Sequence, residues 1–164
     1  MGSAPDVELR KLAFSDRSGT TELYLNAPGA KVASLHKGHW GQGENSETVE
    51  LTTLDNFCEQ QGIQKLDLLK LDVEGHELSV LEGAERMLAA GRIEVIQFEF
   101  SVANLASRTY LRDFFDCLGP SFHLHRVLRD GLGPADPYHP RHEVFTGATN
   151  YLAIRRDSPG SRGS

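Results

Sequence analysis

Leu66-Asp67-Leu68-Leu69-Lys70-Leu71-Asp72-Val73 (residues 66–73) is the stretch on which the fold turns. It is apolar apart from Asp67, Lys70 and Asp72, dense enough to predict a strand covered on both faces, as in a parallel sheet. After Glu74-Gly75 the period changes. Leu78, Leu81, Ala84 or Glu85, and Leu88 recur at helical spacing, with Val80 and Met87 widening the stripe. That predicts one helix from His76 to Ala90, stopped at Gly91. Glu94 to Phe100 returns to strand character through Val95, Ile96, Phe98 and Phe100. Strand, helix, strand is a βαβ unit, whose crossover is expected to be right-handed.

Working outward, Thr53 caps a short helix carrying Leu54, Phe57 and Cys58, and Gly62 ends it. Further upstream, Val7 to Phe14 reads as a strand ended by the turn Ser15-Asp16-Arg17-Ser18-Gly19. Thr20 to Leu25 follows as a second strand able to form a hairpin with the first, and Thr48 to Leu51 as a third. Downstream, Leu111, Phe114, Phe115 and Leu118 stand at i, i+3, i+4 and i+7, an amphipathic helix ended by Gly119-Pro120. Phe122 to Leu128 and Tyr151 to Ile154 are two closing strands joined by a Gly/Pro-rich excursion. This order predicts an α/β domain over residues 7–157, with a mainly parallel sheet and an antiparallel edge. Residues 1–6 read as a ragged start and 158–164 as a disordered tail.

The 164 residues are enough for one domain with a real core. Seventeen Lys and Arg against 23 Asp and Glu leave a net charge of −6. That disfavours nucleic acid as a partner, since such binding rests on positive charge. No apolar run approaches the length of a membrane helix, and no basic-then-apolar leader opens the chain, so a cytoplasmic location is expected. Cys58 and Cys117 make no disulfide framework and are expected as buried free thiols.

In open α/β sheets, ligands bind beyond the carboxyl ends of the strands. That rule selects Asp72, Glu74 and His76 after one strand, and Glu99 and Ser101 after the next. Adjacent strands lie ~4.8 Å apart, so these carboxylates can share a pocket. Clustered carboxylates repel, which raises a pKa and makes a general base or a cation site. His76 could also take a proton. Each residue has a structural reading beside the functional one. Glu74 sits near a helix N-terminus, Gly75 permits the turn, and Asp72 can bond nearby backbone. Lys70, placed within a strand expected to be buried, needs a carboxylate. Asp67 at spacing three falls on the opposite face, so Asp72 at spacing two is the better partner.

Leu68-Leu69-Lys70-Leu71-Asp72-Val73-Glu74-Gly75-His76-Glu77, with Val80-Leu81 and Gly83-Ala84, resembles the signature of the FkbM family of methyltransferases. Ser15-Asp16 with Gly19, Thr53-Leu54-Asp55, Ile96-Gln97-Phe98-Glu99 and Asn150-Tyr151-Leu152-Ala153 resemble further family segments in order. The resemblance implies a partial Rossmann-like sheet and S-adenosylmethionine as cofactor. The reaction it implies is O-methylation of a hydroxyl on a small molecule or carbohydrate. It implies Glu74 or His76 as base, and Asp72 and Glu99 shaping the pocket, whose rim Ser101 shares by the strand-end rule; Trp40, in a loop with His36, Lys37 and His39, could contact a sugar or polyketide face or serve as a lid over the core. Asp16 is implied near the adenine, with Asp72 also on the cofactor side. The sequence departs from the family in one respect. The first strand with its Gly-rich cradle, and the second strand with its ribose-binding acid, are not recognisable, so the resemblance begins at the family's third strand. Missing central strands would expose the inner edges of two core strands. The alternatives are therefore a non-catalytic remnant or interaction module, half of a split enzyme completed by an N-terminal chain, or a homodimer.

Gly38-His39-Trp40-Gly41-Gln42-Gly43 is no substitute cradle, because it precedes a polar, strand-like stretch rather than opening a helix. The pairs His36/His39 and His139/His142 sit in expected loops without further ligands, so no metal is expected of them. A Mg or Ca site on Asp72, Glu74 and Glu99 is a weaker possibility.

Overall fold

The computed structural model describes residues 7–25, 33–36, 45–144 and 147–156. Its strands fall into two sheets. The smaller has the order β1-β4-β2-β3, from β1 (Ala13–Phe14), β2 (Gly19–Leu25), β3 (Ala33–Ser34) and β4 (Asn45–Thr52). The larger has the order β5-β6-β9-β7-β8, from β5 (Leu66–Leu71), β6 (Ile93–Phe100), β7 (Phe122–Leu128), β8 (Gly131–Pro134) and β9 (Thr149–Arg155). The helices are α1 (Leu54–Gln61), α2 (Glu77–Glu82), α3 (Glu85–Ala89), α4 (Ala103–Ser107) and α5 (Leu111–Leu118).

The sheets are mixed rather than mainly parallel. β5 and β6 pair in parallel, but β9 runs antiparallel between β6 and β7, and β8 returns antiparallel on β7. In the smaller sheet β1 joins β4 in parallel, and β4 stands between β1 and β2 where a β1–β2 hairpin was expected. Only Ala13 and Phe14 of the first expected strand are paired; Leu9 is 91% exposed.

The core lies on one face of the larger sheet. From Ile96 onward β6 alternates, with Ile96, Phe98 and Phe100 buried and Gln97 and Glu99 only partly so. Phe98 stacks on Phe114 of α5 at 4.5 Å between ring centroids, and on Tyr151 of β9 at 5.5 Å. Each such aromatic contributes roughly 1.5–3 kcal/mol through burial. Among the described residues the opposite face is only partly covered. β5 is an edge strand with Leu68 56% exposed, so the strand expected to be covered twice is covered once. Lys70 does pair with Asp72, at 2.7 Å, but at the surface.

Three local devices follow the sequence. Thr53 Oγ1 accepts the Asn56 N–H at 3.1 Å, capping α1. Gly62 ends that helix in the left-handed region, φ 68°. The helix expected from His76 to Ala90 is broken at Gly83-Ala84, and the physical reason is Asp55. Its buried carboxylate accepts the Arg86 N–H at 2.7 Å and the Met87 N–H at 2.9 Å, so α3 begins anew with its first donors satisfied. The Thr-Leu-Asp segment is thus a double helix-start device. Cys58 is buried as expected, whereas Cys117 is exposed, on the solvent side of α5. No helix among the described residues is long and apolar enough to cross a membrane.

Candidate functional site

The chain leaves β5 through Asp72-Val73-Glu74-Gly75 and enters α2. Two successive residues of that turn are left-handed, Glu74 at φ 53° and Gly75 at φ 92°. Gly75 is needed for space as well as conformation: a Cβ there would stand 2.5 Å from the Ala103 carbonyl oxygen. Glu77, only 1% exposed, holds the turn from beneath, its Oε1 accepting the Val73 N–H at 3.0 Å. Burial pushes its carboxyl above the usual range although the N–H groups of Glu77, Val73 and Gly75 pull it down. Its Oε2 has no hydrogen-bond partner among the described residues.

Beside this turn β6 ends at Phe100, bringing Glu99 to the same rim. Partial burial raises the proton affinity of Glu99, and the charges of Asp72 and Glu74 raise it further. A hydrogen bond from Ser101 and the charge of Lys70 oppose the rise. The structure therefore brings Asp72, Glu74 and Glu99 into one electrostatic cluster, with Ser101 attached to it. Ser101 is also structural: its Oγ accepts the Ala103 N–H at 3.3 Å, and its N–H is capped by Asn104 Oδ1 at 2.8 Å.

Asp16 and His76 meet through a residue sequence reasoning did not single out. Buried Ser15, which follows β1, donates its hydroxyl to Asp16 Oδ1 at 2.8 Å. Ser15 Oγ lies 2.9 Å from His76 Nε2, and His76 Nδ1 lies 3.4 Å from His36 Nε2. Because the serine proton is committed to Asp16, Nε2–H is the donor to Ser15, and Nδ1 accepts from His36. Burial and the neighbouring His36, with Arg17 adding to them against Asp16, push His76 down to about 4. It is a neutral imidazole with both nitrogens engaged. A second tie joins the sheets here, Ser34 Oγ donating to the Glu74 carbonyl at 3.1 Å. The sequence signal for Ser15 and Ser34 was weak: each is a small polar residue at a strand end. That for Glu77 was its place in the first turn of α2.

Trp40, and the Gly38–Gly43 loop, lie outside the described residues. His139 and His142 belong to a 3-10 turn, Pro140–Glu143, which His139 caps through its ring. Among the described residues no three His, Cys, Asp or Glu side chains converge as metal ligands would. Four cavities walled by described residues, of about 330, 390, 470 and 580 Å³, are lined by residues other than the rim carboxylates.

The cluster predicts a signed titration. Asp72→Asn should lower the pKa of Glu99 by removing a like charge, and Lys70→Met should raise it by removing an opposite one. Carboxyl carbon NMR across pH reads both; shifts of the same sign would show that Glu99 does not sense this rim.

The chain matches the family described as methyltransferase FkbM domain over residues 2–126. It is 32% identical over 138 residues to the 2-O-methyltransferase NoeI of Sinorhizobium fredii (strain NBRC 101917 / NGR234), covering 76% of this chain. The match spans 56% of that relative's length. No solved structure gives a significant match.

Proposed function

Because the chain belongs to the FkbM methyltransferase family, we propose that its carboxylate rim serves S-adenosylmethionine-dependent O-methylation of a hydroxyl on a small molecule or carbohydrate. The observation that carries this reading is the proton affinity of Glu99, raised at the carboxyl end of a sheet strand beside Asp72 and Glu74. An alcohol oxygen attacking a methyl group must shed its proton, and a carboxylate of raised pKa accepts it better than an ordinary one. When bound, the sulfonium donor supplies an electrophilic methyl group.

The described residues fit that donor only in part. Asp16 presents an exposed carboxylate at the rim for an adenine amino group, and Asp72 another. The glycine turn between β5 and α2, however, is filled by Ala103 rather than open to a ligand. No step is therefore routed through the donor. In this reading Glu99 takes the acceptor's proton, Asp72 and Glu74 keep that carboxyl basic, and Ser101 orients it. His76 is a positioning residue that ties β1 to the turn through Ser15.

A second reading has its own support in β5, which among the described residues is an edge strand with Leu68 56% exposed. An unpaired edge of this kind suits a complementing chain or a second copy, which would make the chain a non-catalytic module or one part of a split enzyme. Calorimetric titration of S-adenosylmethionine into the chain separates the readings. Saturable binding supports a working donor site; no heat supports the module or the split enzyme.

A further inference from the structure

The 580 Å³ cavity concentrates charge of the sign the chain as a whole lacks. The protein carries −6, yet the polar walls here are Arg126, Arg141 and His142, set among Leu128, Val144 and Tyr151. Arg126 reaches one neutral partner, Thr149 Oγ1, at 3.5 Å. Among the described residues neither guanidinium is in an ion pair. The acid nearest in sequence, Glu143, is consumed elsewhere. Its oxygens accept the Leu111 and Arg112 N–H groups and the Tyr138 hydroxyl, each at 2.9 Å. Beyond the effect of burial, Arg141, His139 and Arg126 all bear down on the His142 imidazole, against Glu143 alone, which marks a positive potential inside the cavity.

Register fixes where this cavity stands. Leu71 pairs with Phe98, Phe98 with Tyr151, and Tyr151 with Arg126, a single row across four strands. Arg126 is therefore level with the last residue of β5 and shares the sheet face of Phe98 and Tyr151, opposite to the face of Glu99, which follows Phe98 on β6. Paired guanidinium groups favour oxyanions, which they bind through parallel charge-assisted hydrogen bonds. The leucine, valine and tyrosine walls add room for an apolar or ring-shaped body.

We propose that this cavity binds an amphipathic small molecule by its oxyanion, with the apolar body lying against Leu128, Val144 and Tyr151. The cavity lies on the sheet face opposite to Glu99, so this binding does not rest on the methyl-transfer reading above.

The test is NMR titration of the whole chain with three probes in the absence of any donor: phenyl phosphate, inorganic phosphate and benzyl alcohol. Phenyl phosphate is expected to bind saturably, shifting the amides of Gly133, Val144 and Tyr151. Inorganic phosphate should bind more weakly and benzyl alcohol not at all. Arg126→Gln and Arg141→Gln should each weaken phenyl phosphate by about tenfold. Shifts centred instead on the 330 Å³ cavity, which Arg86 and Arg92 line, equal binding by inorganic phosphate or benzyl alcohol, or unchanged affinity in both variants would overturn the proposal. Because no donor is present, a failed S-adenosylmethionine titration leaves this result standing, and the reverse holds too.

Discussion

Replacing Gly83 with alanine lowers stability by about 3 kcal/mol, the upper end of what an overpacked site costs. The reason is where the new methyl group would go. A Cβ on Gly83 would stand 2.0 Å from the carbonyl oxygen of Ser15 and 3.3 Å from Thr53 Cβ. The first is backbone, and it cannot swing aside as a side chain would. Ser15 is itself pinned, its N–H donating to the Thr52 carbonyl at 2.9 Å, while the Gly83 carbonyl accepts the Asp55 N–H at 3.0 Å. Gly83 is thus the point where the smaller sheet, α1 and the α2–α3 break touch. Moving Ser15 would also pull its hydroxyl from His76, 2.9 Å away, so the rim should loosen with the fold. Urea unfolding measures the effect as a lower midpoint at unchanged slope. Gly133→Ala is the control. There the nearest atom is Leu128 Cδ1 at 3.0 Å, the far end of a flexible side chain, and the change should be slight. Equal midpoints for the two variants would mean that the contact at Ser15 carries no weight.

Gly83 also shows what could and could not be read from the sequence. The apolar period through Leu78, Leu81 and Leu88 is real, but periodicity cannot see a buried carboxylate from another element. Asp55 restarts the helix at Glu85 because its oxygens take the Arg86 and Met87 N–H groups. Local chemistry was legible where the partners lie within a few residues: Thr53 capping Asn56, Gly62 closing α1, and Phe122–Leu128 as a strand. Burial was less legible. The dense run from Leu66 looks like a strand covered twice, but whether anything covers Leu68 depends on chain far away in sequence, and in the structure nothing described does. Sheet direction is hidden from the sequence for a related reason. A single antiparallel strand, β9, inserted between β6 and β7 sets two of the four pairings in the larger sheet, and no local pattern announces insertion. At the rim, the strand-end rule selected Asp72, Glu74 and Glu99, and the charges of the first two act on the third. It did not find Ser15 or His36, since their meeting with His76 joins segments 61 and 40 residues apart.

On the methyl-transfer reading proposed above, Glu99→Gln should cost the largest share of activity, about a hundredfold or more in the rate of methyl transfer at saturating acceptor, with little change in KM. Loss of a general base is worth about that much. The choice among three candidates rests on their surroundings. His76 is held down to about 4 by burial, with both ring nitrogens already bonded, so a substrate proton finds little affinity there. Asp72 is matched to Lys70 at 2.7 Å and exposed. Glu99 is partly buried, and the charges of Asp72 and Glu74 press its proton affinity upward. The sign of the pH dependence follows: a base works when deprotonated, so the rate should rise with pH through the raised pKa of Glu99 and then level off. Glu74→Gln removes one of the charges that lift this pKa, so its profile should move to lower pH with a modest loss of rate at the plateau. If Glu74→Gln instead abolishes transfer while Glu99→Gln leaves both rate and profile intact, the base is Glu74, and Glu99 only tunes it. Glutamine keeps the size and the hydrogen-bonding oxygen of glutamate, so a large loss at either position reads the missing proton acceptor rather than a collapsed rim.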